Sequence, residues 1–185
     1  MGHPADIEKI RQAAIDAAHL EAFNRAPEDV SLRRLVGFGL SPQLKTNFEQ
    51  IFSAPFLVEL LLAEVSVEPS QDLIARLHFD GAFQLHGKGV VVAASQPEPE
   101  AAAQKWLNQT LANNTNRSEV AEMLLQTWWC LTENKSFAEG LPSEAERRDG
   151  WRKAVNGRTV ETCWLARKSA RLTHYEELAL TQLGL

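Results

Sequence analysis

The sequence of 185 residues contains little cysteine, tyrosine or methionine and has no long apolar run. Its two cysteines, Cys130 and Cys163, are far apart and lack the paired spacing of a zinc or redox motif, so we expect two reduced thiols and no metal site. The longest apolar stretch, residues 54–65, has about twelve residues and contains two glutamates, which is too short and too charged to cross a bilayer. These absences exclude a disulfide-rich secreted domain and a membrane-spanning protein.

The sequence also lacks the short motifs of common enzymes. There is no Gly-x-Gly-x-x-Gly, no phosphate-binding Gly-Lys-Ser/Thr loop, no Gly-x-Ser-x-Gly elbow and no His-Glu-x-x-His. Five histidines and no paired carboxylates on a helix offer little for acid–base or nucleophilic chemistry. We therefore predict a non-catalytic protein without a cofactor. The first residues, MGHPADIEKIRQ, lack the apolar segment of a signal peptide, so we expect a cytoplasmic location.

What the sequence does contain is an uneven distribution of charge. The formal net charge is −5, yet eight of the nineteen Lys and Arg residues lie in residues 147–171 with only two acidic residues between them. The candidate contact residues are these eight: Arg147, Arg148, Arg152, Lys153, Arg158, Arg167, Lys168 and Arg171. Such a segment can bind a nucleic acid or a partner protein, or can be neutralised by acidic groups of the same chain. All three interpretations stay open at this point.

Helical periodicity dominates the rest of the chain. Residues 4–24 form a predicted helix with a buried face of Ile7, Ile10, Ala14, Ala17, Leu20 and Phe23. A helical turn over 28–36 is expected to stop at Gly37 and Gly39, and a third helix to run from Ser41 to about residue 52. Residues 55–65 are apolar on nearly every side and predict a central helix.

The C-terminal half also predicts helices, over 101–112 and 118–134. Ser143 and Glu146 have the spacing of a capping box, which predicts a helix that ends at Asn156 and Gly157. A last helix is expected over residues 159–183. The helices on either side of residues 156–157 would then bring the basic side chains to one surface, with Arg148 and Arg152 on the first and Arg167 and Arg171 on the second.

One segment, residues 77–94, alternates between apolar and polar side chains and predicts a β-hairpin with its turn at Gly87-Lys88-Gly89. The helix at 55–65, a short helix at 70–77 and this hairpin follow the order of a winged helix-turn-helix. The predicted recognition helix has one basic side chain, Arg76, and one acidic side chain, Asp72, which is poor chemistry for reading bases.

We therefore predict a mainly α fold, α+β at most, with seven to eight helices and one hairpin near 77–94. The expected organisation is a single domain over 1–185, with residues 95–100 as an alternative boundary. The predicted function is a non-catalytic interaction or assembly subunit or adaptor that binds a protein partner through helical surface, and a homodimer is a further expectation. The alternative is a nucleic-acid-binding protein. A remote alternative is a HEPN-like ribonuclease, because Arg167 and His174 have a compatible spacing.

Overall fold

The computed structural model describes residues 2–52, 54–92, 97–111, 116–137, 140–168 and 174–185. These residues combine helices with five short strands in two sheets, so the fold class is α+β and the prediction of a mainly α fold with seven to eight helices is wrong. The chain has two compact units, residues 1–88 (unit 1) and 89–185 (unit 2). The single domain with an alternative boundary at 95–100 stays a prediction, and residues 93–96 lie outside the described part.

Unit 1 begins with helix α1, Pro4–Asn24, as the sequence predicts. A 3-10 turn, Pro27–Asp29, leads to the short helix α2, Leu32–Arg34, which continues through a π-helical segment, Leu35–Leu40, into α3, Ser41–Glu49. The prediction that glycines 37 and 39 stop the helix is therefore wrong. A glycine costs a helix about 1 kcal/mol, whereas burying a valine or leucine side chain contributes roughly 1.5–3 kcal/mol. Val36 and Leu40 are both fully buried in this segment.

The sheet of unit 1 contains β1 (Glu59–Glu64), β2 (Leu73–His78) and β3 (Phe83–His86), antiparallel and in that order. The predicted helices at 55–65 and 70–77 are therefore wrong, and with them the winged helix-turn-helix. A continuous apolar run satisfies the helical and the strand period equally, so periodicity alone does not separate the two. The six-residue pairing of β1 with β2 decides for the strand.

The predicted hairpin with its turn at Gly87-Lys88-Gly89 is wrong, because residues 90–92 form no strand; the hairpin of this region is instead β2–β3, with its turn at residues 79–82. Gly81 has a φ of 85°, which favours glycine. A Cβ atom at Gly81 would also lie 2.5 Å from the carbonyl oxygen of Ser41. The Ser41 hydroxyl donates a 2.7 Å hydrogen bond to the Gly81 carbonyl, which holds this turn against the start of α3.

The core of unit 1 lies between the helices and one face of the sheet. Alternate strand residues point to this face, among them Leu60 and Leu62 of β1 and Ala75 and Leu77 of β2. The helical side of the core includes Ile10, Leu32, Val36, Leu40 and Leu44. Helix α1 contributes the buried Ile10, with Ile7 and Ala14 packed against the core, so the second half of its predicted apolar face lies outside this core.

Unit 2 contains the helices α4 (Pro97–Leu111), α5 (Arg117–Thr132) and α6 (Glu144–Val155), close to the predicted positions. The predicted capping box is confirmed, since the Ser143 hydroxyl accepts from the amide of Glu146 and the Glu146 carboxylate accepts from the amide of Ser143. Ala103, Leu107 and Leu131 form the buried contact between α4 and α5 together with Val91.

The last predicted helix, over residues 159–183, is wrong. The described residues of this region form a hairpin of β4 (Thr162–Leu165) and β5 (Tyr175–Leu178), followed by a 3-10 turn, Leu180–Leu183. Threonine, tryptophan and tyrosine favour strands, and they supply three of the eight residues of this hairpin. Residues 169–173 lie outside the described part. No helix in the described part of the chain is long and apolar enough to cross a lipid bilayer.

Candidate functional site

The basic residues at the start of α6 contact other residues of unit 2. The Arg147 guanidinium donates from Nε to the side-chain oxygen of Gln126 at 2.9 Å and from Nη1 to the carbonyl of Pro142, and lies 5.5 Å from the ring centre of Trp106. Arg148 forms an ion pair of 2.7 Å with Glu122, which raises the pKa of Arg148. Both side chains therefore hold α6 against its neighbours.

The other basic residues do not form the predicted two-helix surface. Arg152 lies over the ring of the adjacent Trp151, Lys153 is exposed on α6, and Arg158 follows the helix and lies 5.9 Å from the ring centre of Trp128. Arg167 and Lys168 follow strand β4 and do not lie on a helix. Arg171 lies outside the described residues. A contact between these basic residues and an anion or a partner stays a prediction.

The arrangement of Arg167 and His174 differs from the helical one that their spacing suggested. Arg167 follows β4 and His174 directly precedes β5, where His174 Nδ1 lies 2.6 Å from the carbonyl oxygen of Ala166. Across the described residues, no group of three or more His, Cys, Asp or Glu side chains is placed to hold a metal ion.

Exposed apolar side chains are concentrated in unit 1. Thirteen large apolar side chains are exposed in the described part of the chain, and eleven of them belong to unit 1. Single exposed apolar residues are ordinary on protein surfaces, whereas contiguous patches mark sites of interaction. Two surfaces of unit 1 contain several of these side chains.

The first surface, the α3 patch, consists of Phe48, Ile51, Phe52 and Phe79. The rings of Phe48 and Phe79 meet edge to face with their centres 5.3 Å apart. Ile51 is 90% exposed and Phe52 is fully exposed, just after the end of α3. Four apolar side chains, three of them aromatic, thus face solvent in α3, just after it and in the β2–β3 turn.

The second surface, the helix groove, runs between the second half of α1 and the helical segment from α2 to α3. Its lining includes Ala17, Leu20, Glu21, Arg34, Leu35, Phe38, Gly39 and Gln43. The Glu21 carboxylate spans the groove and accepts from Arg34 Nη2 at 2.8 Å, and it also accepts from Arg25 Nε at 3.1 Å. The Arg34 guanidinium in turn lies 5.6 Å from the ring centre of Phe38, so charged and aromatic groups together fix the groove walls.

Two side chains in the second half of α1 are exposed although the sequence assigned them to the core. Leu20 and Phe23 continue the apolar stripe of α1 and were therefore predicted to be buried, but they are 61% and 87% exposed. Each three-residue step turns by about 60° in the same direction, so Leu20 and Phe23 lie about 80° and 140° around the helix from Ile10. A series of three-residue steps therefore leaves the face that is buried at the start of α1.

Comparison with known proteins shows a partial similarity to proteasome alpha subunits. The chain is 33% identical over 108 residues to "Proteasome subunit alpha" of Streptosporangium roseum, which is 57% of this chain and 39% of that protein. It is 35% identical over 86 residues to "Proteasome subunit alpha" of Paenarthrobacter aurescens, which is 45% of this chain and 34% of that protein. The chain thus spans less than two fifths of the length of these relatives. No protein-family model matches it.

This similarity corrects the function predicted from the sequence. The matched proteins are named as subunits of a protein assembly, and none of those described above is an adaptor or a nucleic-acid-binding protein. The predictions of an adaptor with a basic helix pair, of a nucleic-acid-binding protein and of a HEPN-like ribonuclease are therefore wrong. The described residues agree, because among them neither the basic helix pair nor the winged helix-turn-helix is formed.

Proposed function

We propose that this chain is a non-catalytic subunit of a proteasome-like protein assembly and that the α3 patch binds a neighbouring subunit. The observation that carries the proposal is the α3 patch itself, in a chain similar over about half its length to proteasome alpha subunits. Leaving four large apolar side chains in water is unfavourable by about 25 cal/mol for each Å² of apolar surface. A neighbouring subunit that covers the patch recovers this free energy.

The composition of the α3 patch supports a binding role and not a catalytic one. The α3 patch contains three phenylalanines and an isoleucine, none of which can transfer a proton or act as a nucleophile. Aromatic side chains are enriched at the centres of protein interfaces, where they contribute most of the binding energy. We also propose a cytoplasmic location, because two free thiols, Cys130 and Cys163, are typical of proteins from reducing compartments.

Native mass spectrometry of the chain co-expressed with proteasome subunit alpha of Streptosporangium roseum tests this function. We expect mixed oligomers that contain both chains. The double variant Ile51→Ser/Phe52→Ser removes the two most exposed side chains of the patch and is expected to reduce the mixed species at least about tenfold, the effect of losing an interface hot spot.

The matched control is Lys45→Ser/Glu49→Ser, which removes an exposed ion pair of 3.8 Å from the same helix and leaves the patch intact. This control should form mixed oligomers like the unmodified chain. The proposal is wrong if the alpha subunit assembles with itself and excludes this chain, or if both double variants behave alike.

A further inference from the structure

We propose that Asn156 is a modification site, at which the side-chain amide is lost and aspartate or isoaspartate forms without an enzyme. Asparagine is one of the chemically labile residues of proteins, and residues 156–157 are the single Asn-Gly pair of the sequence. The inference does not depend on the assembly function above. It rests on a comparison of this pair with the two Asp-Gly pairs of the chain, at residues 80–81 and 149–150.

The modification is an attack of the backbone on the side chain. The amide nitrogen of Gly157 attacks Cγ of Asn156, so an N–Cγ bond forms and the Cγ–Nδ2 bond breaks. Ammonia leaves with the amide proton of Gly157, and a five-membered imide ring remains. Water from the solvent then opens the ring. Its addition at Cγ gives aspartate, and its addition at the main-chain carbonyl carbon gives isoaspartate.

The surroundings of Asn156 leave the attacking nitrogen accessible. Asn156 is the exposed residue that follows α6, with φ of −60° and ψ of 123°, and Gly157 has a φ of 74°, as in a type II turn. Nothing lies within 4 Å of the position that a Cβ of Gly157 would take. The Gly157 amide has no acceptor among the described residues. Solvent can therefore reach this amide and take up its proton.

Ring closure requires this turn to open. At a ψ of 123° the Gly157 nitrogen lies away from Cβ of Asn156, so the backbone has to rotate about the Asn156 Cα–C bond. The turn is closed by one hydrogen bond of 2.9 Å, from the Arg158 amide to the Val155 carbonyl. Helix ends fray at little cost in free energy, because their exposed residues make few contacts. The rotation is thus accessible in the folded protein.

The two Asp-Gly pairs can form the same ring, but the fold holds their backbone. Residues 149–150 lie inside α6, whose hydrogen bonds keep the nitrogen away from the carboxyl group. In the β2–β3 turn, the Gly81 amide donates to the His78 carbonyl at 3.0 Å. The Asp80 carboxylate accepts from the Ala82 amide at 2.9 Å. Ring closure at either pair first breaks these bonds, so we expect the folded protein to react at Asn156 alone of the three.

The product changes the charge at the end of α6. A carboxylate at position 156 lies at the C-terminal end of the helix, where the helix dipole disfavours negative charge. The modified chain also carries one more negative charge than the formal −5 of the sequence. Anion-exchange chromatography therefore separates the modified chain from the unmodified one.

Peptide mapping of the full chain after storage at neutral pH tests this inference. Trypsin cleaves after Lys and Arg, so the three pairs fall in separate peptides, residues 77–88, 149–152 and 154–158. One sample is stored folded and a second is stored unfolded in guanidinium chloride. Conversion of Asn156 changes the mass of its peptide, whereas isomerisation of an aspartate changes only the retention time.

The comparison of folded with unfolded chain gives the expected result. Peptide 154–158 should convert in the folded chain within about tenfold of its rate in the unfolded chain. Peptides 77–88 and 149–152 should each convert more than about tenfold more slowly in the folded chain than in the unfolded chain. The matched control is Asn156→Gln, which keeps a side-chain amide but has to close a six-membered ring. Its more acidic form should accumulate at least about tenfold more slowly.

Three outcomes would overturn the inference. The first is a peptide 154–158 that the fold protects by more than about tenfold. The second is an aspartate peptide that the fold protects by less than that factor. The third is an acidic form that accumulates in Asn156→Gln as fast as in the unmodified chain. The assembly function is not affected by any of them, because Asn156 lies outside the α3 patch.

Discussion

The close contact between α5 and α6 provides a sharp test of the packing in unit 2. Gly150 of α6 faces the indole ring of Trp129 on α5. A Cβ atom at Gly150 would lie 2.3 Å from both Cε2 and Cζ2 of that ring and 2.7 Å from Cδ2. Carbon atoms in contact are normally about 3.5–4.0 Å apart. The substitution Gly150→Ala therefore forces the ring or the helix to move.

Two opposing effects decide the magnitude. Alanine is favoured over glycine inside a helix by about 1 kcal/mol, whereas forcing extra volume into a packed interior costs about 1–3 kcal/mol. The cost lies near the upper end here, because the new methyl group meets three atoms of a rigid ring. We expect Gly150→Ala to lower the free energy of unfolding of unit 2 by about 1–2 kcal/mol.

Urea unfolding followed by tryptophan fluorescence measures this loss. All five tryptophans lie in residues 89–185, so the signal reports on unit 2. In a Trp129→Leu background the obstacle is gone, and Gly150→Ala should become neutral or stabilising by up to about 1 kcal/mol. The two substitutions would thus show a coupling energy of about 2 kcal/mol. An alanine at 150 that stabilises the protein with Trp129 present would refute the reasoning.

Three further predictions concern unit 2. Arg147→Ala leaves the side-chain oxygen of the buried Gln126 without its donor and should lower the free energy of unfolding by about 1–3 kcal/mol in urea titrations. Ser143→Ala removes the capping box, whose hydrogen bonds from Ser143 lower the pKa of Glu146. That contribution is complete above the ordinary Glu pKa of 4.5 and is lost as the pH falls through the lowered pKa, so the variant should lose stability at neutral pH and depend less on acid. A thiol reagent should label the exposed Cys163 in the folded protein and a second thiol only after unfolding.

Each of these predictions has a control within the chain. Arg152→Ala removes an exposed arginine of the same helix and should change stability by less than about 0.5 kcal/mol; an equal loss in both arginine variants would contradict the role of Arg147. Equal urea midpoints for Ser143→Ala and the unmodified chain at neutral pH would contradict the capping argument. Burial raises the pKa of the Cys130 thiol, so rapid labelling of both cysteines in the folded protein would contradict its position in the core.

The sequence by itself determined the elements whose signals are local. Helix α1 follows from its apolar period, and α6 follows from Ser143 and Glu146, which bond to each other's backbone three residues apart. Such interactions need no distant partner, so they have the same meaning in any fold. The length of an apolar run is likewise read directly from the sequence, and no helix in the described part of the chain is long and apolar enough to cross a bilayer.

Tertiary structure alone decided the elements that depend on distant partners. Residues 59–64 have no period that separates helix from strand, and pairing with residues 73–78 made them β1. In the same way, the sequence predicted that the basic residues form one surface. In the structure, Arg147 and Arg148 instead bond to Gln126 and Glu122 of α5. Charge in a sequence does not show which charges the fold will pair.

The exposure of the candidate surfaces also depends on the tertiary structure. Leu20 and Phe23 follow the buried Ile10 at helical steps, but repeated three-residue steps turn the row of side chains away from the buried face. An apolar side chain is buried only where another element reaches it, and that is set by the three-dimensional path of the chain. The sequence thus determined which side chains are apolar, and the tertiary structure determined which of them remain exposed.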